Sequence, residues 1–225
     1  MGKAPGRTLQ ELRTRGEVSF DPQGKPFRSV AIAAHQFLCA SHPRNLLHRD
    51  LNLNNIMYDP ATEEVTIVDT GEALRLRRRG KTEEEVKNKE ASNPPTTTKY
   101  TGTPWFMAPS VIHEREYGSE VDEASTALIL LSLISEDDFE KFSTTRFGPR
   151  ELERQTLTDL SFGTEDPTNF LNIYLNSVGP TSATAVALAA QPQLREVIDL
   201  AFRASAPGPA GEAAFAAFRD HPYFR

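Results

Sequence analysis

The ten residues His48-Arg49-Asp50-Leu51-Asn52-Leu53-Asn54-Asn55-Ile56-Met57 constrain this chain more than any other stretch. They read as a tight polar loop that runs into a β-type segment, with a carboxylate (Asp50) set five residues before an amide (Asn55). A group able to accept a proton and an oxygen ligand suited to a hard cation thus stand at the two ends of one short loop. A plainer reading stays open, in which Arg49 and Asp50 simply pair at the surface.

The flanking pattern says what carries the loop. Thr8 and Glu11 form a capping box ahead of Leu9 and Leu12, which predicts a short helix over about 8–15 ended by Gly16. Residues 27–41 place Val30, Ile32, Ala33, Phe37 and Leu38 with helical recurrence. Residues 55–58 and 65–68, split by Asp59, Pro60 and Ala61, predict a β-hairpin. Helices follow over 121–134, 149–160, 183–190, 193–204 and 212–218, the last two separated by the connector APGPAG. Residues 77–99 are charge-rich and nearly devoid of aliphatic side chains, so they read as a solvated, mobile insert. The expected fold is mainly α, one domain over 1–225, with a small β-hairpin carrying the functional loops.

Composition removes several function classes. A net charge of -6 and a pI near 5.5 disfavour a nucleic-acid footprint, which needs a basic face. No stretch approaches the ~20 apolar residues of a membrane span, and the first residues lack a signal-peptide core, so the expectation is an intracellular protein, cytoplasmic or nuclear. Cys39 is the only cysteine, which excludes an internal disulfide; it reads as core filling.

Two further motifs lie in register with the first. Val68-Asp69-Thr70-Gly71 ends a β run 14 residues after Asn55, and Gly102-Thr103-Pro104-Trp105-Phe106-Met107-Ala108-Pro109-Ser110-Val111 follows the charged insert. Asp-Thr-Gly also occurs in aspartic proteases, but those are mostly β and need the motif twice. Together the three motifs resemble the C-terminal lobe of a eukaryotic-type protein kinase of the Ser/Thr type: H-R-D-L-x-x-x-N, D-F-G with Thr70 for Phe, and A-P-E with Ser110 for Glu. Residues 118–134, with Asp122, resemble the lobe's central helix, and His221-Pro222-Tyr223-Phe224 resembles the family's usual end. Asn55-Ile56-Met57 with Thr101-Gly102-Thr103 and Phe106-Met107-Ala108 is also similar to the divergent fungal-type protein kinases.

The resemblance implies ATP and Mg2+ as cofactors and a protein hydroxyl as acceptor. Asp50 would be the catalytic base, within the loop that also holds His48 and Arg49; Asn55 and Asp69 would hold magnesium, and Thr103 would hydrogen-bond the catalytic Asp. Thr96, Thr97, Thr98 and Thr101 fall in the activation segment, where added phosphate would pair with Arg49.

Three departures bear on activity. An N-terminal lobe needs roughly 70 residues; 47 precede His48 here, and they hold neither a G-x-G-x-x-G nor a V-A-I-K lysine. Asn52 replaces the lysine expected two residues after the base, and Glu212 falls where an Arg normally pairs with the Glu that Ser110 replaces. On the sequence alone the favoured reading is a pseudokinase-type binding module or a truncated kinase, with ATP bound weakly or not at all. The alternative is an active Ser/Thr protein kinase whose N-terminal lobe is supplied elsewhere. Either reading expects a protein partner: substrate, regulator or a second copy. The surface over residues 27–41 and 55–68 is expected to be covered by such a partner, by a homodimer contact, or by residues 1–26 folding back.

Overall fold

A computed structural model describes residues 5–76, 96–112, 115–147 and 169–225. The expected helix over 149–160 and residues 77–95 of the charged insert lie outside them.

Thr8 sits at the junction of strand β1 (Arg7–Thr8) and helix α1 (Leu9–Thr14). Its hydroxyl accepts from the Glu11 amide at 3.1 Å while the Glu11 carboxylate accepts from the Thr8 amide at 3.2 Å, so the helix starts where the sequence places it. Helix α2 spans Lys25–Ser41 and buries Phe27, Val30, Ala31, Ala34 and Leu38. The buried stripe is therefore rotated from the expected one: Ala31 and Ala34 are buried, while Ile32, Ala33 and Phe37 are only half-buried.

Strands β3 (Ile56–Asp59) and β4 (Glu64–Ile67) form the expected hairpin, in the register Ile56↔Ile67 and Tyr58↔Val65. β1 adds to its edge through Arg7↔Tyr58, and the fully buried Leu9 and Leu12 carry α1 into the core beneath it. Phe20 packs edge-on to Tyr58. The chain's own early residues thus cover the hairpin, and among the described residues the only large apolar side chain left exposed is Val186. A second small sheet pairs β2 (Leu46–Leu47) with β5 (Leu74–Arg75).

Around these pieces stand α3 (Pro109–Ile112), α4 (Val121–Ile134), α5 (Glu136–Phe147), α6 (Phe170–Val178), α7 (Ala183–Ala190), α8 (Pro192–Ala204) and α9 (Pro209–Arg219). The protein is mainly helical with small sheets, the fold class the sequence predicts. α4 is its axis: every residue from Val121 to Leu133 is buried, which accounts for an apolar run with no polar face. The C-terminus of α2 is tied to α4 by His42 Nδ1 and Glu123 Oε1, 2.5 Å apart, with the His42 ring stacked on Phe215. Burial lifts the Glu123 carboxyl, and although burial also pulls the His42 ring down, its hydrogen bond and charge contact with Glu123 hold it above its ordinary value. Cys39 is half-buried, with Sγ 3.5 Å from His35 Nε2, so it lines a surface seam and does not fill the core.

Candidate active site

The loop 48–55 is fixed from below by one buried carboxylate. Asp122, 1% exposed near the start of α4, accepts the His48 amide at 2.6 Å and the Arg49 amide at 2.9 Å. Burial raises its carboxyl to about 6, against the pull of those two amides. Arg49 takes a left-handed backbone (φ 68°), which turns the chain sharply and presents Asp50 at the surface.

Asp50 is then held from three sides. Asn55 Nδ2 donates to its Oδ2 at 2.9 Å and to its carbonyl at 2.8 Å. Asn52 Nδ2 donates to Oδ1 at 2.9 Å, and the Thr103 hydroxyl donates to the same oxygen at 2.7 Å. Asn52 also bonds Thr103 Oγ1 at 2.9 Å and accepts the Asn54 amide at 2.8 Å, so a side chain notable in the sequence only for replacing lysine cross-links the loop to the segment facing it. No spacing rule could show this, because the contact joins positions 51 residues apart.

His48 lies beneath the loop, 1% exposed. Its Nε2 donates to the Val68 carbonyl at 3.0 Å, tying the Asp50 loop to the strand end that carries Asp69. The Val68 amide donates in turn to the Asn55 carbonyl at 2.9 Å, so the segments bearing Asn55 and Asp69 run side by side. Asp69 is exposed and left-handed (φ 60°), and among the described residues accepts only the amide of Gly71 within its own turn, at 3.2 Å. Asn55 and Asp69 offer an amide oxygen and a carboxylate, hard oxygen donors of the kind magnesium takes. The set fits that ion.

The threonines are placed differently from one another. Thr96 and Thr98 are exposed, and Thr97 is bridged to Tyr117 through the backbone. Thr101 donates its hydroxyl to Glu72 Oε2 at 2.6 Å. Arg49 also turns to Glu72: Nε donates to the Glu72 carbonyl at 2.6 Å and Nη2 lies 3.8 Å from its carboxylate. Glu212 lines a cavity of about 640 Å³ with His42, Thr96, Glu116 and Glu120. Ser110 is not among its walls, so the two substitutions do not face each other across it. A second cavity, about 440 Å³, opens beside Thr103 and is lined by Asn54, Thr103, Trp105, Phe106, Phe139, Glu136 and Glu140 among others.

A mainly helical fold with an aspartate held by two asparagines and a threonine, beside a hairpin end that carries a second aspartate, is protein-kinase-like. Comparison with known proteins agrees: residues 6–174 match the model of the protein kinase domain, and the chain belongs to that family. It is similar to the serine/threonine-protein kinase shk2 of Schizosaccharomyces pombe, 31% identical over 96 residues that cover 43% of this chain and 14% of the relative. It is also similar to the serine/threonine-protein kinase CLA4 of Candida albicans, 30% identical over 129 residues, covering 57% and 12%. A third relative is the serine/threonine-protein kinase PLK1 of Xenopus laevis, 27% identical over 128 residues, covering 57% and 18%. The chain thus spans less than a fifth of each of these relatives.

Proposed function

We propose that residues 1–225 form one domain that supplies the catalytic-loop half of a serine/threonine-directed protein kinase, passing the γ-phosphate of ATP to a protein hydroxyl. The observation that carries the reading is the convergence of Asn52, Asn55 and Thr103 on Asp50. A base must be aimed before the acceptor arrives, and three donors fix the Asp50 carboxylate in one orientation. Asp50 accepts the proton of the acceptor hydroxyl, and Thr103 and Asn52 keep it from swinging away. Asn55 and Asp69 would hold magnesium, which offsets charge on the transferred phosphoryl group. The cavity beside Thr103 would take the acceptor polypeptide, and the acidic balance of the chain speaks against a nucleic-acid substrate. We place the protein inside the cell, in cytoplasm or nucleus. No helix among the described residues is long and apolar enough to cross a membrane.

A second reading, the pseudokinase-type scaffold that binds a regulatory protein or a second copy, has one observation in its favour. Asn52 stands where a cation would meet the γ-phosphate, and both ends of its amide are engaged inside the loop. Transfer of labelled γ-phosphate by the full-length protein, wild type against D50N, separates the two. The kinase reading expects a drop of roughly 10² to 10⁴ in rate. A wild-type rate no higher than that of D50N would leave the scaffold.

A further inference from the structure

Glu72 ends the short 3-10 turn that follows Asp69 and gathers three groups from elsewhere in the chain. Its Oε2 accepts the Thr101 hydroxyl at 2.6 Å, lies 3.3 Å from Lys99 Nζ, and faces Arg49 Nη2 at 3.8 Å. Exposed ion pairs are usually worth little. This one differs because the Arg49 side chain is only 6% exposed, with the Tyr117 hydroxyl against it and the Glu72 carboxylate facing its guanidinium. A buried guanidinium left without a counter-charge is costly, so Glu72 matters more than its own exposure suggests.

The same few residues then reach the base. Gly102 lies so close to the loop that a Cβ would stand 2.4 Å from the Arg49 carbonyl oxygen, at φ +112°, a conformation open mainly to glycine. The Tyr117 hydroxyl donates to the Lys99 carbonyl. One residue beyond Gly102, Thr103 meets Asp50.

We propose that Glu72 is a positioning residue: its carboxylate fixes residues 99–103 against the catalytic loop, so that Thr103 reaches Asp50 without covalent modification of the segment. A fixed carboxylate does here what a phosphate added to a threonine would otherwise do. Phosphate on Thr101 would replace the hydroxyl that Glu72 holds and compete with the Glu72 carboxylate for Lys99 and Arg49, so its addition is expected to break the Glu72 contact. Only the consequence for activity rests on the kinase reading; the docking itself does not.

The test is hydrogen exchange on the full-length protein, read on the peptide spanning 97–106 with α4 as the internal control. Wild type is expected to keep its protection after phosphatase treatment. E72A and T101E are expected to exchange about tenfold faster or more, with E72D partly restored and α4 unchanged. Should E72A also loosen α4, T101V removes the hydroxyl donor at nearly constant volume and is expected to speed exchange of 97–106 alone. Wild-type protection of 97–106 in E72A, or loss of protection on phosphatase treatment alone, would overturn the proposal. A catalytically inactive wild type with this exchange pattern intact would sink the kinase reading and leave the Glu72 contact standing.

Discussion

Asp50 and Asp69 stand on segments that run side by side, yet the protein holds them in opposite ways. Three side-chain donors converge on the Asp50 carboxylate, and its loop rests on the buried Asp122. Asp69 is exposed and, among the described residues, bonds only the amide of Gly71 in its own turn. A base acts by direction, so its orientation must be built before the acceptor binds. On the roles proposed above, a carboxylate that takes a cation gains its orientation from the ion, and an open rotamer costs little beforehand. The difference in support separates a preorganised group from an adaptable one.

The comparison breaks most readily at its foundation. D122A leaves the His48 and Arg49 amides buried without an acceptor, and each such donor costs about 1–3 kcal/mol. We expect a total loss of about 3 kcal/mol in chemical denaturation, with the catalytic loop displaced. G102A comes next, at about 2 kcal/mol, since it combines a disfavoured φ with a contact the Arg49 carbonyl cannot yield. T103V removes the hydroxyl that orients Asp50 and is expected to lower phosphotransfer roughly 10- to 100-fold, with T103S restoring most of it. Equal rates in T103V and wild type would show that the Asp50–Thr103 bond is packing alone.

A smaller effect follows from protonation. Asp122 binds its proton more tightly folded than unfolded, near 6 against an ordinary value of 3.8. That contribution to stability is full below the ordinary carboxylate range and is lost as the pH rises through about 6. Glu123 and His42 are raised as well and act in the same direction. Thermal unfolding is therefore expected a few degrees higher at pH 5.5 than at pH 7.5, on the order of 1 kcal/mol, with D122N flattening the dependence. The smallest effect is that of D69A on stability, under about 0.5 kcal/mol, even as the substitution removes a proposed metal ligand.

Much of this contrast is legible in the sequence, for an identifiable reason. Asp50, Asn55, Asp69, Thr103 and Asp122 lie in motifs that the resemblance to the kinase family nominates, and a tight loop and a hairpin end leave few places for the side chains of the first three to go. The capping box at Thr8 and the apolar run 121–134 are local signals. What stays hidden is tertiary. Asn52 looks like a lost lysine until Thr103 is folded against it, and Glu72 looks like one more surface acid until Arg49, Lys99 and Thr101 arrive. Helix α5 escapes notice because Phe139 and Phe142 are the buried hydrophobes among its described side chains, set among many charges, and α6 is a short apolar stretch that fits strand as well as helix. The rotation of α2 could not be foreseen, since Ala31 and Ala34 carry little hydrophobic weight yet are buried.

The most direct test of the central claim is amide exchange in the full-length protein without ligand, comparing His48 and Arg49 with Gly71. The two loop amides, bonded to Asp122, are expected to exchange only by opening on the scale of global unfolding, while the Gly71 amide, bonded to an exposed Asp69, exchanges at least 10²-fold faster. Equal protection at the three sites would contradict the claim that this protein holds Asp50, the proposed base, in place in advance and leaves its neighbouring aspartate free.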